Sequence, residues 1–257
     1  MSARVSRLLP VVETPLHAAL FAARVLLSMT RGVPLQDSVV LTARLLVSSL
    51  PVVAIVAFAS GAMLTVQAAA SLSLIGGGPL SGTLVGLGGV REVFPLLAAA
   101  SVAARSGAEF ASAIGAMKVS EQIDALDVMG LDPVRLLITP RVLAATIGTP
   151  FCVIFSDATG LVGSFGVGVF QLGIDRGSMW EHLIRSVIVD DLLIGVAKGL
   201  VLGFLIGTVS TWEGLRTKGG AKGVGEATNR AVVRAMIAVC LTSLLLTYLF
   251  YGKQVMA

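Results

Sequence analysis

Charged residues are scarce in this 257-residue chain. Asp, Glu, Lys and Arg make up 13% of it, about half the share that a soluble domain of this size carries. Hydrophobic residues account for 55%. So little charge leaves too little polar surface to cover a globule in water, which indicates that much of the protein faces lipid. The length accommodates five or six membrane helices of about 20 apolar residues each.

The residue types that bind metals or carry out catalysis are also few. Cys152 and Cys240 both lie inside apolar runs. Their spacing fits neither a disulfide framework nor a zinc site, so we interpret them as small buried hydrophobes. His17 and His182 are far from each other and from both cysteines, and no G-x-x-x-x-G-K-[ST] nucleotide loop occurs. The sequence therefore predicts no metal site, no cofactor, no catalytic residue and no ATPase activity of its own.

The apolar runs predict a membrane protein with five spans. The net charge of +4 does not indicate nucleic-acid binding, because the basic residues lie between apolar runs and form no single patch. Residues 11–30 predict an amphipathic helix at the membrane surface, with a poorly formed first span as the alternative. The predicted spans are residues 45–75, 83–104, 142–169, 188–212 and 231–251.

The distribution of Lys and Arg predicts the orientation. Fourteen of the nineteen Lys and Arg residues fall on one side of the membrane and three on the other, if Arg141 just before the third span and Arg234 at the start of the fifth are counted with the polar segments beside them. The richer side holds the N-terminal segment, the polar segment of residues 105–139 and a second polar loop of residues 213–230. The positive-inside rule places that side in the cytoplasm and the C-terminus opposite.

The polar segment contains a short amphipathic pattern at residues 117–130. Val119, Ile123 and Leu126 share one arc of a helix, with Met129 at its edge, whereas Glu121, Asp124 and Asp127 form an acidic stripe. Gly130 is placed to end this helix in the left-handed conformation. Asp132 and Pro133 then form an N-cap followed by a first helical residue. Two interpretations remain open on these grounds: an ordinary interfacial helix, or a docking helix for a cytoplasmic partner.

The same segment resembles the MlaE/YrbE family of permeases. The resemblance is most specific in the run from Val119 to Leu126 (VSEQIDAL) and in the run from Met129 to Pro133 (MGLDP), which are preceded by Ile114 to Met117. Arg91, Glu92 and Pro95 resemble the Arg-Glu-x-Gly-Pro element of the family, with Phe94 where glycine is usual. Residues 219–228 resemble its last cytoplasmic loop. A further departure is Ala113, where the family often has a glutamate, although Glu109 lies one helical turn earlier.

This resemblance implies both a fold and a function. The implied fold is an all-α integral membrane protein with an N-terminal interfacial helix, five transmembrane helices and a cytoplasmic coupling helix between spans two and three, in one permease domain over residues 1–257. The implied function is that of a homodimeric permease in a lipid transporter of the bacterial inner membrane, the lipid being phospholipid in the best-known branch. Its implied partners are a cytoplasmic ABC ATPase and an MCE-domain substrate-binding protein on the outer face. The coupling residues are then Met117, Lys118, Glu121, Ile123, Asp124, Leu126, Asp127, Met129 and Gly130.

Four charged residues lie deep in the predicted spans: Arg91, Glu92, Asp157 and Lys198. Charges inside a membrane are costly and usually face a bundle interior or a wet cavity in pairs. Arg91 and Glu92 are adjacent and point about 100° apart, so they cannot pair with each other. We expect Lys198 to pair with Glu92, and Asp157 with Arg91. The resemblance places Arg91 and Glu92 near the lipid cavity, and the alternative is that these pairs only hold the bundle together.

Glycine recurs every fourth residue in the fourth span, at Gly195, Gly199, Gly203 and Gly207. Small residues at this spacing let helices approach closely in lipid, so we expect close packing here, with a hinge as the lesser alternative. Asp191 and Lys198 are seven residues apart and therefore share a face of the same span. Two other functions stay open: a membrane scaffold that anchors an ATPase or an MCE protein, and an ion-coupled secondary transporter that uses Asp157 and Glu92.

Overall fold

The computed structural model describes residues 17–29, 35–74 and 78–255, and all of its regular elements there are helices. Residues 11–16 and 30 of the predicted N-terminal helix, and residue 75 of the first predicted span, lie outside the described residues. The helices are α1 (His17–Met29), α2 (Leu35–Ser73), α3 (Ser81–Val119), α4 (Gln122–Val128), α5 (Val134–Gln171), α6 (Arg176–Ser186), α7 (Val189–Leu215) and α8 (Gly220–Val255).

Five of these helices are long and apolar enough to cross a membrane: α2, α3, α5, α7 and α8. Helix α1 is a shorter apolar helix of the N-terminal region. The most apolar stretch of α5 is 61% buried, whereas those of α2 and α8 are each 17% buried. Helices α3, α5 and α7 therefore form the interior, and α2 and α8 cover it on the outside. The prediction of an all-α membrane protein with five long helices is confirmed.

The helices extend further than the predicted spans. Helix α3 continues through Arg105 to Val119, and α8 begins at Gly220, so most of the first and much of the second predicted polar segment is helical. In addition, residues 171–187, whose mixed sequence between the third and fourth spans predicts a loop, contain α6. Alanine, glutamate and lysine favour helix in water as well as in lipid, so a loss of hydrophobicity marks the membrane surface and not the helix end.

Several π-helical turns interrupt the long helices, at Gly89–Val93 and Ala103–Gly107 in α3 and at Val134–Ile138 and Val167–Gln171 in α5. A π-helical turn adds one residue to a helical turn and is frequent at functional sites. The Gly89–Val93 turn carries Arg91 and Glu92. It lies just before Pro95, whose missing N–H leaves the carbonyl group of Arg91, four residues earlier, without its usual donor.

Buried hydroxyl groups join the interior helices. Ser49 and Ser106 lie 3.0 Å apart between α2 and α3, and Thr65 and Ser164 lie 2.6 Å apart between α2 and α5. Ser156 of α5 donates to the carbonyl oxygen of Phe94 at 3.0 Å. In an apolar solvent an unpaired hydroxyl is unfavourable, so such bonds fix how neighbouring helices are rotated against each other.

Candidate functional site

A buried ammonium group lies where α3, α7 and α8 meet. The side chain of Lys198 is 0% exposed. Its Nζ donates to the carbonyl oxygen of Arg91 at 2.7 Å, to Oε2 of Glu92 at 2.9 Å and to Oγ1 of Thr247 at 2.8 Å. An ammonium group has three donors, so all of them are used. The carbonyl group that Pro95 leaves free is thus one of the three acceptors.

Glu92 receives further hydrogen bonds from α8. Its Oε1 accepts from Ser243 at 3.1 Å, and its Oε2 lies within hydrogen-bond distance of the Thr247 hydroxyl group. The pairing predicted between Glu92 and Lys198 is observed. The carboxylate remains about one-third exposed, so it lies at the edge of the interior, with Lys198 behind it.

Arg91 pairs with Asp191, and the predicted pairing with Asp157 was wrong. Nε of Arg91 lies 2.9 Å from Oδ1 of Asp191, close enough for an ion pair although Nε lacks the direction of a hydrogen bond. The Tyr251 hydroxyl group donates to the same oxygen at 3.1 Å, and the guanidinium carbon lies 4.8 Å from the centre of the Tyr251 ring. Asp191 and Lys198 share a face of α7, as the spacing predicts, and both are buried.

These contacts define one polar cluster, which consists of Arg91, Glu92, Asp191, Lys198, Ser243, Thr247 and Tyr251. Two cations and two anions balance its charge within the low-dielectric interior. The α8 members of the cluster and the pairing of Asp191 were not predicted from the sequence. A signal was present, because Ser243, Thr247 and Tyr251 recur every fourth residue and so lie on one face of the largely apolar second half of α8.

Asp157 lies apart from these ion pairs. It is 3% exposed, and its Oδ1 has no hydrogen-bond partner among the described residues. A Cβ atom added at Gly195 of α7 would lie 3.9 Å from Oδ2 of Asp157. A buried carboxyl group without a cation is unusual inside a membrane.

A cavity lies on the other side of the π-helical turn that carries Arg91 and Glu92. It has a volume of about 260 Å³ and is bounded by Gly88, Gly89 and Val93 of α3 and by Leu64 and Gln67 of α2, among others. The turn therefore separates this cavity from the polar cluster, and the two features share a stretch of five backbone residues.

The fourth-span glycines lie against α5. An added Cβ atom would lie 2.9 Å from Cα of Pro150 at Gly199 and 2.8 Å from Cα of Val142 at Gly207. At Gly203 it would overlap the carbonyl oxygen of Ala145, whereas at Gly195 it would make only ordinary contacts. Backbone atoms cannot move aside as side chains do, so the helices can approach this closely only with glycine at these three positions.

The segment of residues 117–130 changes direction between α3 and α4. Glu121 has a φ of +58°, a conformation that non-glycine residues rarely adopt, and Gly130 ends the segment at +73°, as its position predicts. Asp132 accepts from the Val134 N–H group at 3.0 Å. Residues 117–130 are called the coupling segment.

The apolar residues of the coupling segment are divided between the interior and the surface. Ile123 is buried in a cluster with Phe21 of α1 and Ile114 of α3. Val128 is 90% exposed, and Met129 is also exposed. A hydrophobic residue that its own protein leaves exposed at a helix end is available for contact with another molecule.

The charged side chains of the coupling segment are only partly paired. Lys118 binds Asp124 with an Nζ–Oδ1 distance of 2.6 Å, whereas Glu121 and Asp127 make no ion pair among the described residues. Glu121 and Asp127, two acids of the predicted stripe, therefore remain available to a basic partner. Outside the segment, Glu109 lies one helical turn before Ala113, and its Oε1 is 3.7 Å from Nη1 of Arg44 in α2.

A second buried ion-pair group joins α7 to α8 near the coupling segment, and it was not predicted from the sequence. Glu213 is almost fully buried and contacts Arg234 and Arg230, the latter at 3.4 Å from Nε to Oε2. Sequence spacing gives no sign of this pairing, because Glu213 lies on α7 whereas both arginines lie on α8.

Comparison with known proteins identifies the family. Residues 40–249 match the family described as Permease MlaE. A probable ABC transporter permease protein of Rickettsia typhi is 38% identical over 203 residues, which cover 79% of this chain and 78% of the relative. The intermembrane phospholipid transport system permease protein MlaE of Haemophilus influenzae is 34% identical over 172 residues, 66% of each chain. The chloroplastic protein Trigalactosyldiacylglycerol 1 of Arabidopsis thaliana is 33% identical over 74% of this chain and 55% of its own. With the helical membrane fold and its buried polar cluster, these matches show that the chain belongs to the MlaE permease family and is a multi-pass transporter permease.

Proposed function

We propose that this chain is the membrane permease of an ATP-driven transporter that moves phospholipid across the envelope of a bacterium. The family match over residues 40–249 carries the proposal, because it spans both the polar cluster and the coupling segment. The Rickettsia relative is named an ABC transporter permease, and the Haemophilus relative is named for intermembrane phospholipid transport. The expected location is the inner membrane, with the N-terminus and the coupling segment in the cytoplasm.

The coupling segment is the proposed contact with a separate ABC ATPase subunit. Val128 and Met129 supply exposed apolar contacts, and Glu121 and Asp127 supply unpaired carboxylates. A short helix that presents an apolar end and acidic sides suits a groove with a basic rim. The contact of Ile123 with Phe21 and Ile114 gives the segment a rigid base, so a force on it would reach α1 and α3.

The proposed dimer and the proposed partner on the outer face rest on the resemblance to MlaE/YrbE permeases. Two copies of the chain are proposed to hold the lipid between them, and an MCE-domain protein is proposed on the outer face. The cavity beside the π-helical turn supports a lipid site at the turn that carries Arg91 and Glu92. The polar cluster would hold this turn in place while its other side faces the lipid.

Association with an ATPase tests the proposal directly. The complex is purified in mild detergent and its proteins and lipids are identified by mass spectrometry, which also counts the copies of this chain. We expect an ATPase in the wild-type complex and its loss in Val128→Asp. Leu74→Asp is the matched control, because Leu74 is 87% exposed and lies at the opposite end of the bundle. ATPase binding that survives Val128→Asp together with Met129→Asp would contradict the proposed contact.

Asp157 favours one second candidate, an ion-coupled secondary transporter. A buried carboxyl group with a free oxygen atom is a suitable proton carrier in a membrane. Glu92, the other acid considered for this role, is already held by Lys198. Uptake driven by a proton gradient in vesicles without any ATPase would support this candidate over the first.

A further inference from the structure

A groove lies between α5 and α6 on the side of the bundle opposite the coupling segment. Two cavities, of about 330 Å³ and 450 Å³, adjoin there, and Phe165 and Trp180 line both of them. The rings of these two residues meet edge to face, with centres 5.8 Å apart. We refer to the two cavities together as the outer groove.

The two ends of the outer groove differ in chemistry. The lining of the smaller cavity is apolar and includes Leu161, Val162, Leu183 and Ile184. The larger cavity is bounded by Arg176 and Gly177 at the beginning of α6. The apolar part of the outer groove thus adjoins a part that is bounded by the cation of Arg176.

Arg176 is available to a ligand. It is exposed and makes no ion pair among the described residues, whereas Arg185 of the same helix binds Glu181 at 2.7 Å. Trp180 is 58% exposed, although it lines both cavities. Tryptophan and arginine are the side chains that anchor proteins at the level of lipid headgroups.

The wall of the outer groove is held firmly in place. Met179 of α6 is fully buried, and added Cβ atoms at Gly82 and Gly168 would lie 3.2 Å and 3.3 Å from its Sδ atom. The Asp175 side chain accepts from the Ser178 N–H group at 2.9 Å and so caps α6. The groove therefore exists before a ligand binds, which reduces the entropy lost on binding.

We infer that the outer groove binds one phospholipid molecule, with an acyl chain along the apolar cavity and the phosphate group on Arg176. An acyl chain needs no hydrogen bonds, so the apolar lining satisfies it, and the anionic phosphate complements the cation of Arg176 at the mouth. This site is separate from the polar cluster and from the cavity beside the π-helical turn. The binding itself does not require transport, whereas a role in loading the transporter from this leaflet rests on the proposed function.

Fluorescence of Trp180 tests the site. The chain has two tryptophans, so Trp212→Phe leaves Trp180 as the reporter. The full chain in detergent is titrated with phosphatidylglycerol that carries bromine atoms on its acyl chains, which quench a tryptophan in contact. We expect quenching that saturates. Val162→Phe, which fills the groove from an exposed position, should raise the half-saturating concentration about tenfold or more.

The headgroup contact has its own test. Arg176→Gln should weaken binding of brominated phosphatidylglycerol about two- to fivefold, the range of an exposed ion pair. It should leave brominated diacylglycerol unaffected, because that lipid has no phosphate. Arg185→Gln and Val201→Phe are the matched controls, a paired arginine on the same helix and an exposed valine of α7 outside the groove, and neither should change binding.

Two outcomes would overturn the inference. One is quenching that rises in proportion to lipid without saturation, or that is the same in Val162→Phe and in a second groove-filling variant, Ile184→Phe. The other is a disulfide-linked dimer through Ile184→Cys in a Cys240→Ser background, since a second copy would then occupy the groove. Saturable binding in a protein that fails to associate with an ATPase would keep this site and remove the proposed function, so the two failures are distinguishable.

Discussion

At the scale of single residues, Lys198 shows how a membrane protein keeps a charge in its interior. Its ammonium group has no exposure, and its three acceptors come from three different sources: a backbone carbonyl group, a carboxylate and a hydroxyl group. Pro95 contributes by withholding an N–H group from the carbonyl of Arg91. The proline, the π-helical turn and the lysine therefore form one structural unit.

Replacing Lys198 by methionine should destabilise the protein. Glu92 would lose its cation and the Arg91 carbonyl would lose its donor, and removal of one partner of a buried ion pair costs about 3 kcal/mol or more. The free energy of unfolding, measured by titration with a denaturing detergent, should fall by about that amount. The double variant Lys198→Met with Glu92→Gln should recover much of the loss. A single variant as stable as the wild type would contradict this account.

Asp157 gives a prediction that separates two functions. Asparagine has nearly the same shape without a charge, so Asp157→Asn should change the free energy of unfolding by no more than about 1 kcal/mol. ATP-driven lipid transfer between vesicles should continue in this variant, because Asp157 makes no ion pair in the polar cluster. Complete loss of transfer, with normal folding and normal ATPase binding, would instead favour a proton-coupled mechanism.

The sequence predicted the pairing of Glu92 with Lys198 correctly but not the partner of Arg91, and the reason for this difference is geometric. Charge alone restricts Arg91 and Glu92 to acidic or basic partners on other helices, but it does not say how those helices are rotated. Asp157 and Asp191 both met the requirement for Arg91, and only the packing of α7 beside α3 selects Asp191. The hydroxyl groups of α8 were overlooked because Ser and Thr are common in membrane helices and carry no charge.

At the scale of elements, the change of direction before α4 depends on Glu121. Its left-handed backbone conformation costs a non-glycine residue about 1–2 kcal/mol. Glu121→Gly should therefore raise the free energy of unfolding by about 1 kcal/mol, whereas Glu121→Val should lower it, because β-branched residues fit this conformation worst.

ATPase binding by variants of Glu121 distinguishes the role of its backbone conformation from the role of its charge. Because the proposed contact uses the carboxylate of Glu121, Glu121→Gly should bind the ATPase more weakly than the wild type in a co-purification assay, even though it keeps the bend; undiminished binding would mean that only the bend matters. Glu121→Asn tolerates the left-handed conformation and removes the charge, so it is the matched control. Weaker binding by both variants would show that the carboxylate itself contacts the partner.

Element ends were the least predictable part of the fold. The five long helices follow from hydrophobicity, yet α3 and α8 extend beyond their apolar parts. Helix α6 lay in a segment that looked like a loop, because its sequence mixes charged and apolar residues over only eleven positions. Its cap by Asp175 and its buried face of Met179 and Leu183 are visible in the sequence once a helix is assumed there. The outer groove follows from this helix and could not be predicted without it.

At the scale of the whole molecule, the contact between α5 and α7 determines whether the interior closes. At Gly199, Gly203 and Gly207 the backbones of the two helices touch, and two members of the polar cluster, Asp191 and Lys198, lie on the same helix, α7. Separation of α7 from α5 would also move Asp191 and Lys198 away from α3. Close packing and charge pairing therefore depend on each other.

This dependence predicts opposite effects for two identical substitutions. Gly203→Ala places a methyl group against the carbonyl oxygen of Ala145 and 2.8 Å from the Thr149 hydroxyl group, so the free energy of unfolding should fall by about 2 kcal/mol. Gly225→Ala adds the same methyl group where no atom lies within 4 Å, in a helix that alanine favours, and should raise it by about 0.5–1 kcal/mol. Both are measured by detergent-induced unfolding of the isolated chain. If Gly203→Ala also weakens lipid transfer whereas Gly225→Ala does not, the α5–α7 contact supports the polar cluster. Equal stability of the two variants would contradict this account, because it would mean that α5 and α7 can separate without a loss of folding free energy.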